Sequence, residues 1–257
     1  MPELVHLEVD DGVGIVRLDR PPANAISLQL SMDLLDALEE AGSRDDVGAL
    51  VLWGGPKLFA AGADIKEMVD HSPDEIREQV TKLGDACELL EATPKVSIAA
   101  ITGFALGGGF ELSLACDFRY TADDAKVGQP EVRIGVIPGA GGTQRMTWLA
   151  GAGVSRDLSY TGRQLDAEEA KALRLVERVL PADRVFEQAV EDARAFAKGP
   201  RRALAAAKEA IHAALRTPGP ASIARERELF IALFGGDDQR EGMRAFIEKR
   251  PPEFLGS

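Results

Sequence analysis

The chain has 257 residues, of which 45% are hydrophobic and 28% charged, a composition typical of a globular protein with a sizeable core. Its formal net charge of −12 argues against surfaces that bind nucleic acid or anionic membranes. The apolar stretch 97–115 approaches membrane-spanning length, but four interior glycines and Glu111 argue against a lipid-facing helix. The first residues lack the pattern of a signal peptide, so we expect a cytoplasmic protein. From the charge and the glycines we expect that it binds neither nucleic acid nor a membrane.

The first half of the sequence alternates predicted strands and helices. Short apolar runs predict strands at 5–9, 13–18, 49–53, 96–101 and 118–122. Asp10-Asp11-Gly12 separates the first two runs and predicts a hairpin turn. Helical spacing of apolar residues predicts helices at 27–41 and 73–91, with Ser27 and Ser72 as N-caps, and a further helix that begins near Asp64.

The second half is mainly helical. The turn 138–145 is expected to open a helix that ends at 161–162, Asp166 is expected to cap another, and 175–180 is predicted to be a strand. From residue 182 onward helices are predicted at 185–198, 201–215, 221–234 and 237–249. Asp237 or Asp238 is the expected cap of the last one, in which Met243, Phe246 and Ile247 form an apolar stripe. That stripe fits either core packing or contact with another subunit.

A glycine-rich segment, Gly107–Gly109, follows the strand at 96–101 and is followed by Glu111 in an otherwise apolar run. A turn of this kind leaves free N–H groups at the N-terminus of the next helix, where negative charge is favoured. A carboxylic acid on a helix fit for burial is costly unless it has a purpose. Glu111 is therefore either a hydrogen-bonded structural residue or a functional acid.

A faint repeat relates this segment to an earlier one. Phe59-Ala60-Ala61-Gly62-Ala63 and Phe104-Ala105-Leu106-Gly107-Gly108 each follow a strand and lead into a helix, 104 − 59 = 45 residues apart. If the repeat is structural, the N–H groups of Ala63 and Gly108 occupy matching places in two turns, and two converging donors form an oxyanion hole. The alternative is coincidence, since small residues are common in tight turns.

A second carboxylate, Glu131, lies in the loop Gly128-Gln129-Pro130-Glu131, 131 − 111 = 20 residues after the first. Taken alone it reads as an exposed loop acid, and its functional interpretation depends on pairing with Glu111. Three histidines and two cysteines are scattered without metal-ligand spacing, so no metal site is expected.

Four motifs in order resemble the crotonase superfamily and, within it, the enoyl-CoA hydratases: FAAGADIKEM (59–68), ITGFALGGGFELSLACD (101–117), GQPEVRIGVIPGAGGTQR (128–145) and DDQREGMRAFIEKR (237–250). The resemblance covers nearly the whole chain. It implies an α/β fold, a crotonase-like spiral of repeated ββα units over residues 1–198 with a C-terminal helical trimerisation region over 199–257. It also implies a homo-oligomer, either a trimer or a hexamer built from two trimers.

The resemblance implies roles for individual residues. Glu111 and Glu131 would be the acid/base pair, and the N–H groups of Ala63 and Gly108 would hold the thioester oxygen. The positions expected to bind the substrate are Ala61, Asp64, Ile65, Gly107, Gly139, Phe246 and Lys249, the last two from a neighbouring subunit. Coenzyme A would be part of the substrate, with no separate cofactor. The family's Arg-Pro-Lys-x-x-Asn-Ala pattern is shortened here and lacks its lysine, leaving the phosphate-binding cation open among Arg20, Lys57, Lys66 and Lys249.

The resemblance favours hydration of a trans-2-enoyl-CoA to a 3-hydroxyacyl-CoA, in fatty acid β-oxidation or related acyl-CoA catabolism. An enoyl-CoA isomerase or another crotonase-type enzyme is the alternative, because one fold supports several reactions. A dehalogenase would need an Asp nucleophile and a histidine, and no histidine lies near these motifs. A non-catalytic CoA-binding or scaffold protein is disfavoured by the presence of both carboxylates and both glycine turns.

Overall fold

Within residues 4–256, the part of the chain that the computed structural model describes, two β-sheets organise the fold. The strands are β1 (Val5–Asp10), β2 (Val13–Leu18), β3 (Ala49–Trp53), β4 (Val96–Ile101), β5 (Phe104–Leu106), β6 (Phe118–Ala122), β7 (Lys126–Gly128), β8 (Gln164–Asp166) and β9 (Arg178–Leu180). The helices are α1 (Leu28–Ser43), α2 (Ile65–Met68), α3 (Pro73–Ala92), α4 (Gly108–Ala115), α5 (Gly142–Thr161), α6 (Ala167–Ala172), α7 (Val185–Ala197), α8 (Arg201–Arg216), α9 (Pro220–Ala232) and α10 (Asp237–Glu248), with a 3₁₀ helix at Glu131–Ile134.

The larger sheet has the strand order β1-β2-β3-β4-β6-β9. Its first two strands form the predicted antiparallel hairpin, turned by Asp11 and Gly12 with positive φ angles, and every later pair in this sheet is parallel. The smaller sheet has the order β5-β7-β8, with β5 parallel to β7 and β8 antiparallel. Parallel strands end at the same edge, so the turns that follow them are gathered on one side.

The repeated unit consists of a strand in the larger sheet, a short extended segment beside the smaller one, and a helix. In one unit these are β4, β5 and α4. In the preceding unit they are β3, the segment 59–61 and α2, and Ala60 pairs in parallel with Ala105. The pairing offset is 105 − 60 = 45 residues, which equals the spacing of the sequence repeat. The repeat is therefore structural, and coincidence is excluded.

The corner between β4 and β5 depends on Gly103. Its φ angle is +54°, and a Cβ atom there would lie 2.2 Å from the carbonyl oxygen of Lys57. Only glycine combines this backbone conformation with so close an approach. The corner lets the chain leave the larger sheet, where all six residues of β4 are buried, and enter the smaller sheet after only two intervening residues.

The helices pack on the larger sheet and on each other. Helix α7 packs across β2, β3, β4 and β6, while α1 packs against α3 and the first two strands. Ser72 caps α3 with a capping box that includes Glu75, as the sequence predicted for the cap. Helix α3 is thereby fixed at its N-terminal end, and its first three turns form one wall of the cavity described below.

The C-terminal helices differ from expectation at two points. Gly236, not an aspartate, is the N-cap of α10, and Asp237 and Asp238 lie in its first turn, where carboxylates favour the positive end of the helix dipole. The apolar stripe is exposed: Phe246 is 85% and Ile247 78% accessible, so core packing within the chain is excluded. No helix of residues 4–256 is long and apolar enough to cross a membrane.

Sequence reasoning missed the shortest strands. The three-residue strands β5, β7 and β8 are too short to show any periodicity, so the sequence predicts only turns or loops there. The strand predicted at 175–180 is confined to Arg178–Leu180. Leu175 and Val176 are buried without strand pairing, which explains why their apolar character suggested a longer strand.

Candidate active site

A cavity of about 520 Å³ opens between α3, the first turn of α4 and the segment 130–139. Aliphatic side chains and glycines make up most of its wall. Eight of the positions expected from the sequence line it: Ala61, Ala63, Ile65, Gly107, Gly108, Glu111, Glu131 and Gly139. The structure thus brings together residues separated by up to 139 − 61 = 78 positions in the chain.

The two repeated turns enter the cavity side by side. Ala60 donates its N–H to the carbonyl of Phe104 and accepts from Leu106, both at 3.0 Å, which aligns the segments that precede the turns. The turns themselves begin at Gly62 and Gly107, whose φ angles are +104° and +50°. A Cβ atom at Gly62 would lie 3.1 Å from the carbonyl oxygen of Leu106. Glycine at these positions lets the chain bend while the two segments stay in contact.

The backbone around Ala63 leaves its N–H turned away from the neighbouring segment. The N–H of Ile26 donates to the carbonyl of Gly62 at 2.8 Å, and the carbonyl of Ile26 accepts from the N–H of Asp64 at 3.0 Å. In this parallel pairing the N–H of Ala63, which lies between Gly62 and Asp64, points to the side away from Ile26. Gly108 is the first residue of α4, where N–H groups have no acceptor within the helix. Both positions line the cavity and can donate a backbone hydrogen bond into it.

Glu111 is 3% exposed and is held by the turn that precedes α5. Its Oε1 accepts hydrogen bonds from the N–H groups of Ala140, at 2.7 Å, and Gly142, at 2.8 Å. Burial raises the pKa of Glu111, while these two bonds and the positive charge of Arg145 oppose the rise. Both contacts were missed, because the sequence predicted only that the glycine-rich turn opens a helix.

A side chain at position 142 would displace its neighbours. A Cβ atom there would lie 2.5 Å from the side-chain amide of Gln129 and 3.0 Å from Cγ of Glu111. The two adjacent glycines at the start of α5 were the signal that another chain segment lies close, but the sequence does not say which one.

Glu131 is the first residue of the 3₁₀ helix and is half-buried in the cavity wall, so the interpretation as an exposed loop acid is wrong. Burial raises the pKa of Glu131 to about 7, and the negative charge of Glu111 adds to the rise. The side chain of Gln129, oriented to satisfy both groups, places its amide nitrogen 2.8 and 3.1 Å from the two carboxylate oxygens. Gln129 is fully buried, and its contact with Glu131 was missed from the sequence.

Gly107 brings the Glu131 carboxylate close to the second turn. A Cβ atom at position 107 would lie 2.9 Å from Oε1 of Glu131. The side chain of Glu131 therefore occupies space that any other residue at 107 would fill. One carboxylate and the Gly107–Gly108 backbone are in this way adjacent within the cavity.

Three of the expected substrate-binding residues do not line this cavity. Asp64 caps α2 and pairs with Arg20 at 2.6 Å, a contact that lowers its pKa. That ion pair also engages one of the candidate phosphate-binding cations. Phe246 and Lys249 lie on and just after α10, outside the cavity of the same chain.

We expect Glu131→Gln to stabilise the protein above pH 7. Because the pKa of Glu131 is about 7 in the folded chain and 4.5 is its ordinary value, its contribution to stability falls as pH rises from 4.5 through 7. The upper limit of the loss is about 3 kcal/mol, reduced by solvent that reaches the half-buried carboxyl. Urea denaturation should show a gain for the variant at pH 8 and none at pH 4.

The exposed Glu8→Gln provides the matched control, because it removes a carboxylate outside the cavity. A Glu131→Gln protein that is no more stable than wild type at pH 8 would contradict the assignment of a strained, buried charge.

Taken together, the cavity contains two interacting carboxyl groups with raised pKa values and two backbone N–H donors. Such a set can polarise a bound carbonyl group and move protons at carbons beside it. The aliphatic wall suits an apolar tail.

Comparison with known proteins gives a consistent result. The family model described as enoyl-CoA hydratase/isomerase matches residues 8–257. The chain is 42% identical over 254 residues to a probable enoyl-CoA hydratase of Mycobacterium tuberculosis, covering 98% of each chain. It is 43% identical over 253 residues to a probable enoyl-CoA hydratase of Rhizobium meliloti, again covering 98% of each.

Solved structures share the fold. The crystal structure of an enoyl-CoA hydratase from Bacillus anthracis superposes with a TM-score of 0.94 at 38% identity, covering 99% of this chain and 100% of that one. The expected α/β crotonase-like fold with a C-terminal helical region is thereby confirmed. The boundary expected between residues 198 and 199 stays a prediction.

Proposed function

The chain belongs to the enoyl-CoA hydratase/isomerase family of the crotonase superfamily, and we propose that it adds water across the double bond of a trans-2-enoyl-CoA to give a 3-hydroxyacyl-CoA. The observation that carries the proposal is that Glu111 and Glu131 enter the same cavity, each with a raised pKa. Groups whose pKa values are shifted by burial and by each other are typical of acid/base sites.

The first requirement of the reaction is an electrophilic β-carbon. In the proposed complex the thioester oxygen accepts hydrogen bonds from the N–H groups of Ala63 and Gly108. These donors stabilise the negative charge that develops on the oxygen as water attacks. Donors already fixed by the backbone need no reorganisation during the reaction, which is why they are effective.

The second requirement is balanced proton transfer. Glu111 holds the water and accepts a proton as the oxygen bonds to the β-carbon, and Glu131 in its acid form protonates the α-carbon. The carboxyl groups then re-equilibrate with solvent. Because the two groups interact, the proton belongs to the pair, and the reversed assignment is the competing version of the same mechanism. Neither version needs a metal or a cofactor apart from the coenzyme A of the substrate.

The tail of the substrate is proposed to be aliphatic. Apolar side chains face the cavity from α3 on one side and from the segment after Glu131 on the other: Ile76, Val80, Leu83, Ile134 and Ile137. A wall of this kind suits an aliphatic acyl chain, as in fatty acid β-oxidation or related acyl-CoA catabolism.

We also propose an oligomeric state and a cellular location. The exposed stripe on α10 supports a trimer or a hexamer of two trimers, in which Phe246 and Lys249 reach the coenzyme A of a neighbouring subunit. A cytoplasmic location fits a β-oxidation enzyme with this acidic composition.

The direct test is the ultraviolet absorbance of the conjugated enoyl thioester of crotonyl-CoA, which should fall when the protein is added. A 3-enoyl-CoA tests the isomerase alternative, because its conversion to the conjugated 2-enoyl form raises the same absorbance. Thermal stabilisation by coenzyme A without turnover of either substrate would overturn the proposal in favour of a non-catalytic binding protein.

The pH dependence of kcat/KM is expected to be bell-shaped. The base must be ionised and the acid protonated, so activity falls at low pH as Glu111 is protonated and at high pH as Glu131 ionises. Because the pKa of Glu131 is about 7, the alkaline limb should lie near pH 7 in the free enzyme. Initial rates with crotonyl-CoA from pH 4.5 to 9 measure it, and a rate that still rises between pH 7 and 9 would contradict the acid role.

A further inference from the structure

We propose that Arg145 is a positioning residue that holds the turn 139–142 so that its N–H groups stay directed at Glu111. The inference rests on the proposed hydration reaction, in which Glu111 binds and deprotonates the water. Arg145 does not itself line the cavity that contains Glu111. It acts from the opposite side of the turn.

Ala140 connects Arg145 to Glu111 through two hydrogen bonds. Nη1 of Arg145 donates to the carbonyl oxygen of Ala140 at 2.5 Å. The N–H of the same Ala140 donates to Oε1 of Glu111 at 2.7 Å, and Gly142 adds a second bond at 2.8 Å. Fixing the carbonyl of Ala140 restricts the backbone on either side of its Cα atom. The direction of the N–H that meets Glu111 is restricted with it.

Arg145 is itself locked in place. Its Nε donates to Oε1 of Glu91 at 2.7 Å, and both side chains are at most 7% exposed. The other carboxylate oxygen of Glu91 accepts from Arg216 of α8 at 3.1 Å. The planar guanidinium donates to the carboxylate from Nε and to the carbonyl from Nη1, two atoms held at a fixed separation. A lysine at position 145 would have to make both bonds from a single nitrogen at the end of a flexible stem.

The turn and the guanidinium also interlock sterically. Gly141 has a φ angle of +98°, and a Cβ atom there would lie 2.2 Å from Nη1 of Arg145. The guanidinium thus occupies the space that a side chain at position 141 would need, at a backbone conformation that favours glycine. Removing it would leave a buried gap behind the turn, into which residues 140–142 could relax.

The positive charge of Arg145 favours the ionised form of Glu111. Other charged and titratable groups lie near: Glu131 of the 3₁₀ helix, whose charge opposes ionisation, Arg133, which lines the same cavity, and Cys87 of α3, whose thiol is kept neutral because burial raises its pKa. Loss of the guanidinium would therefore remove a charge that favours the ionised form of Glu111 as well as loosening its hydrogen bonds.

The test compares Arg145→Met, Arg145→Lys and a matched control, Arg119→Met. Arg119 has the same arrangement in another place: it is buried, pairs with Glu177 and donates to a carbonyl, that of Cys116, at 2.8 Å. Losing it should cost comparable stability without touching the turn at 139–142.

For Arg145→Met we expect kcat for crotonyl-CoA hydration to fall on the order of 10²-fold, the cost of misplacing a reacting group by about 1 Å, with little change in KM. The acidic limb of kcat/KM should move to higher pH. In Arg145→Lys the charge remains, so kcat should fall while the acidic limb stays near that of the wild type. Arg119→Met should lower the melting temperature and leave both kcat and the acidic limb unchanged.

Several results would overturn the inference. The first is a folded Arg145→Met protein with an unchanged kcat and acidic limb. The second, which decides if the methionine variant does not fold, is an unchanged kcat in Arg145→Lys. The third is a shift of the acidic limb in Arg119→Met equal to that in Arg145→Met. A crystal structure of Arg145→Lys or Arg145→Met in which Ala140 and Gly142 still bond Glu111 at unchanged distances would overturn it whatever the activity. Absence of hydration by the wild-type protein, by contrast, would contradict the proposed function.

Discussion

Glu111→Gln and Glu131→Gln are each expected to lower kcat for hydration of crotonyl-CoA by about 10²–10⁴-fold, the usual contribution of a positioned acid or base. Glutamine keeps the size and one acceptor oxygen of glutamate, so the substituted side chain at position 111 can still accept from Ala140 and Gly142. It cannot take up or release the proton that the reaction moves. The loss should therefore appear in kcat, with a much smaller change in KM.

The double variant sharpens this expectation. Because the two carboxyl groups act on one water and one substrate, their effects should not add, and Glu111→Gln/Glu131→Gln should be little worse than the poorer single variant. Exposed Glu88→Gln, on the same helix as the cavity wall but outside the cavity, is the control for loss of a carboxylate. Hydration at the wild-type rate by both single variants would contradict the assignment of Glu111 and Glu131 as the acid/base pair.

Ala63→Pro should lower kcat by about 10²–10³-fold, the usual effect of losing one oxyanion donor. Proline removes the N–H of residue 63. The two hydrogen bonds of Ile26, to Gly62 and from Asp64, do not use that N–H and keep both partners. The fold should then survive while the thioester oxygen loses one hydrogen bond. Steady-state kinetics with crotonyl-CoA, together with circular dichroism, measures both properties.

Ala63→Gly is the comparison variant, because it changes the side chain at position 63 but keeps the N–H. A far smaller loss in this variant than in the proline variant attributes the effect to the hydrogen bond. Equal losses in the two, or a well-folded Ala63→Pro protein with the wild-type kcat, would contradict the role of the backbone donor.

The elements that could be predicted from the sequence were those with strong local signals. The strands at Val13–Leu18, Ala49–Trp53 and Val96–Ile101 have the bounds expected, because each is an apolar run stopped by a turn or a cap. The helices after Ser27 and Ser72 begin where their capping side chains indicate. The three-residue strands of the smaller sheet were not predictable, because they are defined by their pairing partners alone.

The candidate site was predictable in its members but not in its supporting contacts. Glu111 was visible as an acid in an apolar run, and Glu131 only through the motif that pairs it with Glu111. The N–H groups that hold Glu111 lie 29 and 31 residues further along the chain, a distance over which sequence patterns carry no information about contacts. Gln129, one of the closest neighbours of Glu131, has no local signal of its own.

The parallel pairing of Ala60 with Ala105 has a consequence for how this site tolerates mutation. Paired strands lie about 4.8 Å apart, and the turns that follow them inherit that separation. The two backbone donors are therefore positioned by chain pairing and not by a functional side chain, and a one-residue deletion that shifts the register would separate them. The proton-transferring half depends on two side chains that a single nucleotide change can replace. Substitution of either glutamate would thus change the proton chemistry while leaving both backbone donors to a thioester oxygen in place.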